Sequence, residues 1–314
     1  MHHNRLARLA ALLCGLLLAA AAGAQGYGPR ALQLVPENSN VVTVYGVALN
    51  GNQSIEPGSV VKGSDIDVTL GIAQYTRAFR LPGGQQGAVV VALPYGRIDA
   101  RMDTNLPDRP RLEAHRSGLF DPQVALVVGL VGSPSLPMPD YARFRQGFAL
   151  GVMTNLYVPL GSYESARAIN TGSNRWAVQF GAPMSFNFGK SLITPDHGTF
   201  ELLPAVTFYG NNNDPFGAAE RTGQRPLFTL ESHLTKNVNR MAWVSLDGMY
   251  SNGGASITDG LRADNRQESF AIGGSLNLTF SPAFSAKLSY GGVLARNENG
   301  PEGGMWRLMG SYVF

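Results

Sequence analysis

Apolar residues in this chain recur at every second position over most of its length. From Arg175 to Phe188, Trp176, Val178, Phe180, Ala182, Met184, Phe186 and Phe188 fall on one face, and Arg175, Gln179, Ser185 and Asn187 on the other. From Gln267 to Phe280, Phe270, Ile272, Leu276, Leu278 and Phe280 oppose Ser269, Ser275, Asn277 and Thr279. Phe284, Ala286, Leu288 and Tyr290 then oppose Ser285, Lys287 and Ser289, and Trp306, Leu308, Tyr312 and Phe314 oppose Arg307 and Ser311. Side chains alternate across a strand with a period of two, so the chain is predicted to be all-β. Twelve strands are predicted, at about 41–50, 64–78, 86–100, 122–131, 144–158, 174–188, 199–209, 226–236, 240–250, 267–280, 283–294 and 304–314. The segments 86–100 and 122–131 are more uniformly apolar and have no clear phase.

Alternation alone fits a soluble sandwich as well as a membrane barrel, but the strands and their connections separate the two. Segments of about 11 to 15 residues exceed the usual strand of soluble sheets and match a bilayer crossing plus a rim. Asn237-Val238-Asn239 and Ser281-Pro282 are short joints, whereas Arg101–Asp121, Gly210–Arg225 and Ser251–Arg266 are long polar loops. Long connections thus follow odd strands and short ones even strands, the asymmetry of an up-and-down outer-membrane barrel with external loops and periplasmic turns. Gly132–Arg143 departs from the rule, being long where a turn is expected. Aromatics at strand ends (Trp176, Phe188, Phe270, Phe280, Trp306, Tyr312) fit the two interfacial girdles of such a barrel.

The N-terminus reads as an export leader. Arg5 and Arg8 precede an apolar run from Leu9 to Ala22, and Ala22-Gly23-Ala24 supplies small residues before Gln25. The run is too short for a membrane anchor, and cleavage after Ala24 is predicted. The expected organisation is a signal peptide over 1–24, a short N-terminal periplasmic segment over 25–40 and a barrel over 41–314. Cys14 belongs to the leader, so the mature chain has no thiol and no disulfide framework. Removing Arg5 and Arg8 takes the net charge from +3 to +1, which excludes a basic nucleic-acid footprint. Charged residues are only 15% of the chain, as expected if half of every strand faces lipid.

The final strand ends in Phe314, with Tyr312, Leu308 and Trp306 on the same face. It looks like the C-terminal signal by which outer-membrane proteins are recognised by the barrel assembly machinery. Further motifs are Asp121-Pro122, Asn155-Leu156-Tyr157-Val158-Pro159-Leu160-Gly161-Ser162-Tyr163 and Asn170-Thr171-Gly172-Ser173-Asn174-Arg175-Trp176. On these the chain, from about Ala31 to Phe314, resembles the outer-membrane transporters of the MetA-pathway phenol degradation family. The resemblance implies a single-chain barrel that passes small, often hydrophobic or aromatic, compounds across the outer membrane of a Gram-negative bacterium. Related fatty-acid and toluene channels carry an N-terminal hatch, for which residues 25–40 are too few.

Charge on the lipid face is costly, so the polar strand residues are expected to line the lumen: Asp65, Asp67, Arg175, Gln179, Asn187, Glu231, His233, Asp247, Lys287 and Arg307. Two readings stand. In one these residues form a paired network that fills a narrow lumen; in the other they form a selectivity lining. Tyr75, Tyr157 and Trp243 are further inward candidates. No catalytic residue, cofactor or metal site is predicted. His115 and His197 fall in predicted loops, His233 shares a face with Glu231, and no serine is placed beside any of them. The predicted function is a monomeric outer-membrane channel for a small hydrophobic or aromatic solute. The alternative is a side-chain-filled structural or surface-interaction barrel.

Overall fold

The computed structural model describes residues 26–53, 58, 60–61, 63–106, 109–189 and 194–314. The predicted leader, its cleavage site and Cys14 lie outside the described residues. The strands are β1 (Asn40–Gly51), β2 (Ser64–Arg80), β3 (Gln86–Leu106), β4 (Arg109–Leu119), β5 (Gln123–Val131), β6 (Phe148–Tyr157), β7 (Ala177–Gly181), β8 (Met184–Phe188), β9 (Gly198–Tyr209), β10 (Thr222–Gln224), β11 (Leu227–Asn237), β12 (Ala242–Gly253), β13 (Ser256–Thr258), β14 (Leu261–Arg262), β15 (Gln267–Thr279), β16 (Phe284–Arg296) and β17 (Gly303–Val313). The main sheet runs β11-β12-β15-β16-β17-β1-β2-β3-β5-β6-β7-β9, with β8 continuing β7 between β6 and β9, and β9 pairs back to β11. Among the described residues this is a closed antiparallel barrel of 12 staves, with β4/β5 and β7/β8 each making one stave. Closure leaves no free edge, which is what a lipid environment demands of a sheet. The start of β1 and the end of β17 meet at the same rim. There Asn40 N donates to Phe314 O at 2.8 Å, and Phe314 N donates to Asn40 O at 2.9 Å.

The outer surface is an apolar belt. Val44, Leu93, Phe180, Leu246, Leu276 and Leu308 are all exposed on it. An uninterrupted apolar patch of this extent fits a membrane interface and not a water-facing surface. Aromatic contacts ring the belt at both levels. Phe148–Phe186 (4.9 Å between ring centres), Phe280–Phe284 (5.5 Å) and Tyr312–Phe314 (5.9 Å) lie at the turn end. Phe180–Phe208, Phe228–Tyr250 and Tyr290–Trp306 lie toward the loops.

The predicted strand 174–188 is one stave interrupted at Ala182-Pro183. Gly181 pairs Ala205 and Met184 pairs Leu202 of β9, so the register is unbroken across the gap. Pro183 has no N–H to give to the ladder, and that interrupts the hydrogen bonding without turning the strand. Two expectations are corrected. Arg101–Asp121 is not a loop: β3 runs on to Leu106 and β4 returns beside it, pairing Arg97 with Ser117 and Arg101 with Glu113. This hairpin extends beyond the apolar belt, where charge is no longer excluded. His115 therefore lies on β4 rather than in a loop. The long turn-end connection 132–147 carries a helical turn, Met138–Tyr141, and burial raises the pKa of the Tyr141 phenol.

Residues 86–100 and 122–131 lack a phase because their inward face is apolar too. The barrel interior has two walls. Val47, Leu49, Ile66, Val68, Leu70, Ile98 and Met305 form an apolar cluster on the β1–β3 side, joined by Phe120. The opposite wall, from β7 through β16, is polar.

Candidate functional site: an occupied lumen

The polar wall is built by the alternate residues of neighbouring strands. β11 turns Thr229, Glu231, His233 and Thr235 inward, and all are buried. β12 adds Asp247, β9 adds Thr199 and Glu201, β15 adds Ser275 and β16 adds Lys287. His233 Nδ1 lies 2.9 Å from Asp247 Oδ1, and Nε2 lies 3.4 Å from Glu231 Oε2. Ser245 and Ser275 donate to Asp247 at 3.0 and 2.8 Å. Both ring nitrogens of His233 thus face carboxylates and neither faces a hydroxyl, so the cluster lacks the base–nucleophile contact of covalent catalysis.

Residues 26–33 lie against this polar half of the lumen. Glu231 accepts hydrogen bonds from Tyr27 N and Gly28 N at 3.2 and 3.3 Å. Glu201 accepts from Arg30 N and Gln33 Nε2, each at 2.9 Å. Arg30 also donates to Thr235 Oγ1 and Asn237 Oδ1 at 2.9 and 3.0 Å. In return Lys287 Nζ donates to Pro29 O at 2.9 Å, and Arg307 Nη1 to Gly26 O at 2.6 Å. Trp243 is the floor of the contact: its ring centre lies 4.7 Å from the Arg30 guanidinium and 5.7 Å from Lys287 Nζ. Gly28 takes φ +81°, and a Cβ there would collide with Arg307 Nη2. Backbone N–H groups meet wall carboxylates and backbone carbonyls meet wall cations, so each buried charge has a partner of opposite polarity. A cavity of about 30 Å³ remains between segment and wall, lined by Gly28, Glu231, His233 and Asp247. That is room for a water or two and not for an organic solute.

Of the predicted lining residues, Gln179, Glu231, His233, Asp247, Lys287 and Arg307 gather around this segment. Gln179 accepts from the Tyr27 hydroxyl at 3.4 Å and donates to Thr207 at 3.1 Å. Arg175 lies nearer the loops, 4.8 Å over the Tyr209 ring, and donates to Gln224 at 2.6 Å. Asn187 sits at the turn end and donates to Gly147 O. Asp65 and Asp67 do not line the lumen. Their side chains are 58% and 43% exposed, and both pair with Arg101 on the outer face of the extended hairpin. Tyr75 also faces out, giving its hydroxyl to Asn40 at 2.7 Å, whereas Tyr157 and Trp243 face in. Glu201, absent from the predicted set, alternates with the outward Phe200 and Phe208, and that phase marks it as inward. Arg30 carries no periodic signal.

A second closure comes from the loop end. Residues 158–176 fold back over the barrel mouth, pinned by Asp121. Asp121 Oδ1 accepts from Gly161 N at 2.9 Å, and Oδ2 accepts from Ser173 N at 2.8 Å and from the Ser173 hydroxyl at 2.5 Å. Gly161 and Gly172 lie back to back, and a Cβ on Gly161 would sit 2.5 Å from Gly172 Cα. Ile169 from this loop packs on the apolar cluster. Arg167 and Arg116 beside Glu164 hold its carboxyl below the usual carboxylate range. The motifs Asp121-Pro122, Pro159-Leu160-Gly161 and Gly172-Ser173 are thus parts of one contact.

At the turn end, burial and the nearby Arg30 cation lower the pKa of His197 to about 4. Its ring Nε2 is buried without a partner. The unfolded chain binds a proton near pH 6.5 that the folded turn refuses, so this group removes stability as pH falls from about 6.5 to 4. Acid melts of detergent-solubilised protein should show a loss of stability over this interval that His197→Gln does not show. Parallel curves would remove the assignment.

The fold and sequence agree with known proteins. A family model described as "Putative MetA-pathway of phenol degradation" matches residues 50–308. No curated protein sequence matches this chain. The COG4313 outer membrane channel from Pseudomonas putida F1 is a similar structure, with TM-score 0.72 and 21% identity over 91% of this chain and 99% of that one. The CymD monoaromatic hydrocarbon channel matches at TM-score 0.45 and 11% identity, over 94% of each chain. With its sequence matched over most of its length and the 12-stave barrel in place, the chain belongs to the MetA-pathway phenol degradation family of outer-membrane β-barrels.

Proposed function

We propose that this protein is an outer-membrane channel for the passive passage of small hydrophobic or aromatic compounds. The apolar inner wall of Val47, Leu49, Ile66, Val68, Leu70 and Ile98 carries the reading. A barrel that conducts water-soluble solutes turns polar residues inward. Here one side of the interior is aliphatic, with Met305 and Phe120 completing a surface that sugars would wet poorly. Family membership supports the same reading, as does the phenol degradation pathway for which the family is described.

Proteoliposomes loaded with a reporter and offered phenol, cresols and xylenols against pentoses and hexoses test it. Uptake should favour the phenolics by about tenfold or more over sugars of equal size. A preference for sugars overturns the proposal. The alternative, a structural barrel without transport, draws on the occupied polar half of the lumen. It requires that planar-bilayer recordings show no open state at any voltage.

A further inference from the structure

The outer wall of the barrel carries a basic groove at the level where the apolar belt ends and the loops begin. Val206 of β9, Phe228 of β11 and Asn252 of β12 stand in one outward row, Val206 pairing Phe228 and Phe228 pairing Asn252. The groove above this row has a volume of about 460 Å³ and is lined by Arg225, Arg262 and Arg266 together with Val206, Pro226 and Phe228. The small sheet β10-β13-β14 lies directly above and brings Arg262 to the groove.

The three arginines are poorly neutralised. Arg266 donates to Asn252 Oδ1 at 3.0 Å and stands 3.9 Å from Glu268 Oε2. Glu268 is already engaged by the Tyr250 hydroxyl at 2.7 Å. Arg225 and Arg262 have no side-chain partner among the described residues, and both are exposed. Three other arginines at this end of the protein are clamped: Arg97 by Asp99, Arg101 by Asp67, Arg296 by Glu302. Two unpaired guanidinium groups and a third shared one, held within one groove, leave a net positive site. Guanidinium forks match phosphate oxygens, and the apolar floor is continuous with the lipid-facing belt.

We propose that this groove binds a phosphorylated glycolipid of the external leaflet, its phosphates on Arg225, Arg262 and Arg266 and an acyl chain over Val206 and Phe228. Lipopolysaccharide has that chemistry: a phosphorylated sugar headgroup at the level of the arginines and saturated chains at the level of the belt. Basic pockets beside membrane-embedded walls hold anionic headgroups in this manner. The site stands apart from the lumen and is independent of which solute the channel passes.

Native mass spectrometry of the full-length barrel with bisphosphorylated lipid A tests the proposal. One adduct should form, and the triple variant Arg225→Ala/Arg262→Ala/Arg266→Ala should bind at least about tenfold more weakly. Dephosphorylated lipid A should show a similar loss with the unaltered protein, and inorganic phosphate at equal concentration should not displace the lipid. Heat-modifiable electrophoretic mobility reports whether each variant is folded. Should the triple variant fail to fold, Arg225→Ala and Arg262→Ala alone, which break no contact, should each weaken binding about threefold. Equal binding by the folded variants or by dephosphorylated lipid overturns the proposal. Displacement by inorganic phosphate alone also overturns it, because the site would then be a free-anion site.

Discussion

Replacing residues 26–34 by a flexible Gly-Ser linker should raise single-channel conductance on the order of tenfold, since it vacates the polar half of a 12-stave lumen. The barrel itself should survive. Its hydrogen-bond ladder does not use these residues, and water entering the lumen solvates Glu201, Glu231, Lys287 and Arg307 in place of the segment. A point variant should act in the same direction. Gly28→Val places a branched side chain at φ +81° and against Arg307 Nη2, so the segment can no longer lie in its seat, and openings should become frequent. Planar-bilayer recordings of both variants beside the unaltered protein decide the matter. Unchanged conductance in the linker variant would mean that the loop-end closure alone limits flow.

Asp121→Ala should release that closure. It removes the acceptor for two backbone N–H groups and one hydroxyl, all on a carboxylate that is itself partly buried. Charge-assisted bonds of this kind are worth about 1.5–3 kcal/mol each when the partners are left unsatisfied. Some of the loss is recovered from water, and an overall loss of about 3 kcal/mol is expected for the loop. Protease cleavage within 158–176 should accelerate about a hundredfold, while the barrel keeps its heat-modifiable mobility. Asp121→Asn, which keeps one acceptor oxygen, should fall between. A loop as resistant in Asp121→Ala as in the unaltered protein would show that Thr171 and Ser162, which bond to Leu119 O, hold it alone.

How far the sequence foretold these features depends on the range over which the physics acts. Alternation is set between adjacent residues, so the faces of β11, β12, β15, β16 and β17 were legible throughout, and Pro183 did not disturb the phase of its stave. The rule that charge turns inward holds only inside the hydrocarbon band. Asp65 and Asp67 sit where β2 has already risen past it, and nothing local marks that level. Residues 86–100 had no phase because a strand on the apolar wall is apolar on both faces. The N-terminal segment was the least legible part. Gly26 to Gln33 has no period, and its partners Glu201 and Glu231 lie some 170 to 200 residues away. Gly28, Gly161 and Gly172 are the points at which the two closures are in tightest contact.

The seam between β1 and β17 has a consequence for how the molecule comes into being. Asn40 and Phe314 are hydrogen-bonded yet separated by 274 positions in the chain, so the ring closes only when β17 has paired with β1. Until then β1 and the newest strand each present an open row of N–H and C=O groups, the condition under which sheets join wrongly. The segment that fills the lumen is made before any wall exists to receive it, and its seat on Glu231, Lys287 and Arg307 is complete only after β11, β16 and β17 have arrived. The occupied interior and the closed ring are therefore one late event. A chain that lacks β17 loses the seam and, with it, the wall that supplies Arg307 to the segment in the lumen.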